Sequence, residues 1–183
     1  MNNYKKEISI VLVSYKSKIK ISNLIKKISN EIKIIIIENS DDKTIKKIKR
    51  KNTLIIFSKN NGYGSAINLA RRFIKTKYFF VFNPDVKKIN NKLIKNFYLA
   101  AKKFNNSFGV LGPRYVGLKD ESHEQLKKLY KYEKIETISG AAMFFKTKLF
   151  DFVGGFDKNF FLYFEENDYC YRAKKKRFEY LSN

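Results

Sequence analysis

Along the chain, short unbroken apolar runs alternate with stretches in which apolar residues recur every three or four positions. The runs are Glu7–Tyr15, Ile32–Ile37, Leu54–Phe57, Tyr78–Phe82 and Phe108–Leu111. Such runs predict strands: Glu7–Tyr15 a central one, Ile32–Ile37 a buried one, Tyr78–Phe82 one buried on both faces, and Leu54–Phe57 and Phe108–Leu111 short ones. The periodic stretches predict helices over residues 17–30, 43–51, from Ala66 through Phe73, 90–104, 146–153 and from Glu165 onward. Their inward faces read as Ile21, Leu24, Ile25 and Ile28; Ala66, Leu69, Ala70 and Phe73; and Leu93, Phe97 and Ala100. Strands alternating with helices predict an α/β domain with a largely parallel sheet. Residues 134–145 read as a further strand-like run that contains the small residues Ser139 to Ala142. Small residues there predict the close approach of a ligand or of neighbouring backbone. Residues 113–134 read as a long polar surface loop, and loops of that length are often functional.

The breaks between runs carry the chemistry. Tyr78–Phe82 runs into Asn83-Pro84-Asp85, where proline ends regular pairing and a carboxylate follows at once. The second run ends in Glu38, with Asp41 and Asp42 just beyond, where they also cap the next lysine-rich segment. Glu165, Glu166 and Asp168 open the last helix. Open α/β sheets bind ligands outside the carboxyl ends of their strands, so these acids are expected around one crevice. Asp85 is then a candidate to hold a divalent cation against a phosphate, since hard cations select oxygen ligands. Gly62 and Gly64 precede a helix, where backbone can approach a phosphate. The competing reading leaves the acids of the last helix as stabilisers of its N-terminus, with Asp168 and Arg172 as an ordinary pair four residues apart. His123 reads as a solvated loop residue, Cys170 as core, and the aromatics from Phe156 to Phe164 as packing.

Composition narrows the partners. With 183 residues, 44% apolar and 31% charged, the chain suits one folded domain rather than a disordered one. No run approaches the roughly 20 apolar residues of a membrane-spanning helix. A single cysteine excludes an internal disulfide and fits a reducing, cytoplasmic setting. The net charge of +22 favours phosphorylated ligands and peripheral contact with an anionic membrane, at its inner face. Lysines outnumber arginines and are spread over nearly every helix, as an A/T-biased coding sequence would also give. Nucleic acid is not an expected partner, because Arg-rich patches are absent and strand-end carboxylates would repel phosphates.

The collinear series Ser-Ile-Val-Leu-Val-Ser-Tyr (9–15), Ile-Ile-Ile-Glu-Asn-Ser (35–40), Asn-Asn-Gly-Tyr-Gly-Ser-Ala-Ile-Asn (60–68), Phe-Asn-Pro-Asp-Val (82–86), Gly-Gly-Phe-Asp (154–157) and Phe-Leu-Tyr-Phe-Glu-Glu-Asn-Asp-Tyr-Cys (161–170) resembles the inverting family 2 glycosyltransferases. It is most similar to the rhamnosyltransferase-like branch, where Asn-Pro-Asp stands for Asp-x-Asp. The resemblance implies a GT-A fold, that is, a Rossmann-like mixed, mostly parallel sheet flanked by helices. It also implies a dTDP- or UDP-sugar donor, a divalent metal (Mn²⁺ or Mg²⁺), and a glycan or lipid-linked acceptor in surface polysaccharide synthesis.

Carried over by position, Ser14 and Tyr15 border the nucleobase, and Glu38 takes the acidic nucleoside-contacting place. Asn61, Gly62 and Gly64 lie against the donor, and Asp85 holds metal and diphosphate. Gly140 and Ala141 floor the sugar-acceptor region, and Glu165-Glu166 supplies the base. The family's usual Asp stands as Glu38 here, and its Glu-Asp as Glu165-Glu166, so each charge moves outward by one methylene. Residues 1–183 then read as a single glycosyltransferase domain, short at its C-terminus against family members. The alternative is a non-catalytic, nucleotide-binding remnant of such an enzyme.

Overall fold

The computed structural model describes residues 3–104, 108–113, 133–176 and 179–182. Residues 114–132, most of the expected polar loop and including His123, lie outside the described residues. A short helical turn α1 (Tyr4–Glu7) leads into β1 (Ile8–Ser14), α2 (Lys18–Ile25), β2 (Lys33–Glu38) and β3 (Thr53–Phe57). Then come α3 (Tyr63–Arg71), β4 (Tyr78–Phe82), α4 (Asn91–Lys103), β5 (Phe108–Gly112) and β6 (Glu133–Lys134). The chain closes with β7 (Ala142–Lys146), α5 (Thr147–Val153), α6 (Glu165–Lys175) and β8 (Glu179–Ser182).

Among the described residues the strands form one mixed sheet in the order β3-β2-β1-β4-β7-β5-β8-β6. The first four pair in parallel, and β7 enters antiparallel between β4 and β5. Every residue of β1 and β4 is buried, because helices cover both faces of the sheet. Ile8, Ile10, Leu12, Phe80 and Phe82 point to the layer of α2 and α4, and Val11, Val13, Phe79 and Val81 to the layer of α3, α5 and α6. On this second side Phe145, Phe150, Phe156 and Tyr169 meet mostly edge to face at centroid distances of 5.1–6.0 Å. Burying each such ring contributes about 2 kcal/mol. Cys170 belongs to this core, and burial pushes its thiol up to about 11.

The strands fall within about two residues of their expected limits, whereas the helices differ more. α2 stops at Ile25, and Ile28 reaches the core from the turn beyond it. The expected helix over 43–51 is a single 3₁₀ turn, Lys43–Lys47, with only Ile45 buried; one buried side chain does not offset the cost of nucleating a longer helix. Asp42 does cap it, accepting the Thr44 N–H at 2.9 Å. The inward face of α3 is Gly64, Ala66, Ile67 and Ala70, while Phe73 lies past the helix end, 37% exposed. On α4, Ile94 rather than Leu93 is fully buried. The run 134–145 divides into β6 and β7, and the small residues 139–141 form the turn leading into β7. No helix among the described residues is long and apolar enough to cross a membrane.

Candidate functional site

The parallel strands β1, β2 and β4 all end at one edge of the sheet. A cavity of about 540 Å³ opens there, lined by Val13, Tyr15, Ser17, Asn39, Asn60, Gly62, Tyr63, Asn83, Pro84, Asp85, Phe161 and Leu162. At and behind its inner wall, around the lining residue Asn39, are unusual polar atoms. Ser14 Oγ, Glu38 Oε2 and Asn39 Oδ1 are buried and have no hydrogen-bond partner among the described residues. They are neighbours, because Ser14 and Glu38 are paired across β1 and β2 and Asn39 N–H donates to Ser14 O at 2.8 Å. The other Glu38 oxygen accepts the backbone N–H of Ser40 at 2.6 Å and the Ser40 hydroxyl. Leaving such acceptors bare costs about 1–3 kcal/mol each.

Asp85 follows β4 on an exposed turn closed by the Val86 N–H to Asn83 O bond. Its carboxylate lies 3.6 Å from Lys20 Nζ, and both side chains are largely exposed. Among the described residues no three of His, Cys, Asp and Glu come together to hold a metal. One carboxylate fits a Mg²⁺ or Mn²⁺ ion that takes most of its oxygens from a bound diphosphate, the usual way such ions are held.

The acceptor-side residues gather through β7. Asn83 N–H donates to Ala141 O at 2.9 Å, joining the turn before Asp85 to the 139–141 turn. A Cβ on Gly140 would lie 3.4 Å from the Glu166 carboxyl group, so the small residue lets the carboxylate approach. Tyr63 Oη donates to Gly140 O at 3.0 Å from the opposite wall. Glu166 is half-buried with one oxygen unpartnered among the described residues. Glu165 is 3% exposed and packs against Gly64; burial raises its pKa, its own backbone N–H opposes this, and the Glu166 charge adds to it. Asp168 points elsewhere and pairs with Arg172 at 2.7 Å. The two neighbouring glutamates therefore occupy different environments, as a helix turn of about 100° per residue requires.

Gly62 lines the crevice and also has a task within the fold. Its φ is +97°, and a Cβ would collide with the Phe161 carbonyl oxygen, which accepts the Tyr63 N–H at 3.0 Å. The backbone that comes close to the start of α3 is Phe161. Gly64 lies inside, where a Cβ would be 2.9 Å from the Phe156 Cβ. Tyr15 is exposed at the rim, whereas the exposed Asn61 lines the neighbouring cleft with Lys59 and Lys158 rather than this crevice. Phe156 packs as expected, but Phe161 to Phe164 do not: they are 51–69% exposed. Lys20, Asn39, Asn83 and Tyr63 were not singled out in the sequence, since only strand pairing and the β7 turn bring them to the crevice.

No family model matches the chain. It is 24% identical over 194 residues to the low-salt glycan biosynthesis hexosyltransferase Agl10 of Haloferax volcanii, covering 93% of this chain and 62% of the relative. The chain therefore spans about three-fifths of that relative's length. Among solved structures it resembles residues 1–349 of S. aureus TarS, with TM-score 0.73, 16% identity, and coverage of 97% of this chain and 58% of that one. It also resembles the mannosyltransferase PcManGT of Pyrobaculum calidifontis in complex with GDP-Man and Mn²⁺, with TM-score 0.73, 9% identity, and coverage of 99% and 55%. GalNAc-T7 with UDP, GalNAc and Mn²⁺ matches at TM-score 0.73, 10% identity, and coverage of 96% and 42%. The fold is the GT-A glycosyltransferase fold.

Proposed function

We propose that this domain is an inverting, family 2-type glycosyltransferase, cytoplasmic and close to the rhamnosyltransferase-like branch, which moves a hexose from a nucleotide-diphosphate donor to a glycan or lipid-linked acceptor. The observation that carries this reading is the gathering of unsatisfied polar atoms and carboxylates at one crevice: Asn39 and Asp85 line it, Ser14 and Glu38 lie buried beside Asn39, and Glu166 lies against Gly140, which Tyr63 of the lining bonds. Among the buried atoms Glu38 Oε2 and Asn39 Oδ1 can only accept, which suits the N–H and O–H donors of a nucleoside, while the Ser14 hydroxyl can donate or accept. The relatives add support, being a hexosyltransferase and enzymes solved with UDP-GlcNAc, GDP-Man or Mn²⁺.

In this reading Tyr15 borders the nucleobase and Glu38 accepts its donors. Asp85 would hold a divalent ion together with oxygens of the donor, and such an ion would supply positive charge to the leaving diphosphate. Lys20 brings a second positive charge to the same place. Glu166 accepts the proton of the attacking hydroxyl while the new C–O bond forms and the sugar–phosphate bond breaks, its electron pair leaving with the diphosphate. Glu165, buried behind it, holds the start of α6 and keeps Glu166 beside Gly140.

Thermal stabilisation by UDP, dTDP and GDP, each with and without Mn²⁺, tests the donor site. One of these nucleotides is expected to raise the melting temperature, more so with Mn²⁺, and Asp85→Ala removes the metal's share. Absence of stabilisation by every nucleotide would overturn the reading.

A further inference from the structure

The segment between Gly155 and α6 is a second feature that the transfer chemistry leaves unused. Phe161, Leu162, Tyr163 and Phe164 are consecutive and 58%, 51%, 69% and 65% exposed. Nowhere else among the described residues do large apolar side chains stand out in an unbroken series. The exposure is built in. Tyr163 and Phe164 both hold positive φ, 69° and 68°, a conformation that bulky residues adopt only at a cost. The Tyr63 N–H bond to Phe161 O, at the one place where Gly62 leaves room, fixes the other end.

Cations flank the ridge. Lys158 lies three residues before it, and shares a cleft with Lys59 and Arg72. Across the crevice stands Tyr15, 57% exposed, with Lys16 Nζ 5.9 Å from its ring. None of these four cations pairs with a carboxylate among the described residues. An aromatic ridge with a basic margin is complementary to the boundary between lipid tails and anionic headgroups, where Tyr and Phe settle and lysines reach phosphates. Phe161 and Leu162 also line the crevice itself, so a surface that takes the ridge lies directly at its mouth.

We infer that Phe161–Phe164 is a membrane-docking ridge, inserting shallowly into an anionic bilayer surface with Lys16, Lys59, Arg72 and Lys158 on the headgroups. Docking goes beyond sugar transfer and holds even if the crevice proves to have another substrate.

The test is co-sedimentation of the full chain with vesicles of phosphatidylcholine alone and of phosphatidylcholine with phosphatidylglycerol. Tyr163→Asn/Phe164→Asn is the diagnostic variant, since asparagine accepts positive φ and neither residue lines the crevice. Wild type is expected to bind the anionic vesicles, more weakly but still detectably in 0.5 M salt, where the Debye length falls to roughly 4 Å and the lysines are largely screened. The variant is expected to bind about tenfold or more weakly, with its melting temperature and nucleotide response unchanged. Equal vesicle binding by variant and wild type would overturn the inference, leaving lysines alone as the attraction. So would a failure of wild type to bind either vesicle, including the case in which the ridge instead retains soluble oligosaccharides.

Discussion

The two edges of the parallel sheet are made by the same strands and differ in almost every polar detail. At the amino-terminal edge the polar groups mostly answer one another. Thr76 Oγ1 lies 2.9 Å from Ser9 Oγ, Thr147 Oγ1 donates to Thr76 O at 2.8 Å, and Lys33 Nζ donates to Phe73 O at 2.9 Å. Arg71 pairs with Asp151, and Arg50 ties Ile32 O and Ser29 O together, leaving only its Nε bare. At the carboxyl-terminal edge Ser14, Glu38 and Asn39 keep buried acceptors open. The amino-terminal edge also carries a cluster of Lys75, Lys77, Lys146 and Lys148 around a cleft, while Glu38 and Asp85 end or follow strands at the other. One edge is thus finished by folding, and the other is left for a ligand to finish. That difference separates a structural end of a sheet from a functional one more clearly than charge or cavity size does.

The comparison breaks most visibly at Glu166. Glu166→Gln keeps the shape beside Gly140 and removes the proton acceptor, so donor turnover should fall about 10²–10⁴-fold with nucleotide affinity retained; Asp168→Asn should be much milder. Loss of turnover in Glu165→Gln but not in Glu166→Gln would move the base to the buried partner. Next in size is Gly62→Ala. Its Cβ meets the Phe161 carbonyl at φ +97°, so chemical denaturation should show a loss of about 2–3 kcal/mol.

A smaller effect is expected at the inner wall. Glu38→Gln should weaken nucleotide binding about tenfold, measured calorimetrically, because a neutral amide accepts less strongly than a carboxylate. It should leave the melting temperature nearly unchanged. The smallest effect belongs to the finished edge. Burial, then the charges of Lys77 and Lys148, lower the pKa of Lys146. The folded protein therefore gives up that proton more readily than the unfolded chain, and stability contributed there rises as pH climbs toward the ordinary lysine range. Lys146→Gln should lack this alkaline gain in a pH series of melting curves and be more stable near neutrality by about 0.5 kcal/mol, with turnover unaffected.

Much of this edge-to-edge contrast was readable from residue order. An acid after a buried run, as at Glu38 and Asp85, falls at a strand's end because strands are stiff and their apolar length is explicit. The helices were less readable where lysines surround a few isoleucines: around Ile45 and Ile28, side chains reach the core from turns. Tertiary contact, not periodicity, decides such segments. The approach of Gly140 to Glu166 joins positions 26 apart through the turn before β7, and no local pattern encodes it. The outward aromatics were read as packing because apolar sequence predicts burial; positive φ at Tyr163 and Phe164 reverses it. Lys20 beside Asp85 left no signal at all in a chain so rich in lysine.

The antiparallel entry of β7 between β4 and β5 has a consequence for biosynthesis. Phe82 finds its partner Ala142 60 positions later in the chain. On a ribosome adding roughly 5–20 residues per second, the aromatic strand Tyr78–Phe82 waits about 3–12 s with one edge open. β5 emerges during that wait but cannot take its place until β7 has arrived to separate it from β4. Such an exposed edge is a template for pairing between nascent chains, and this interval is when a chaperone would find its most apolar grip on the protein.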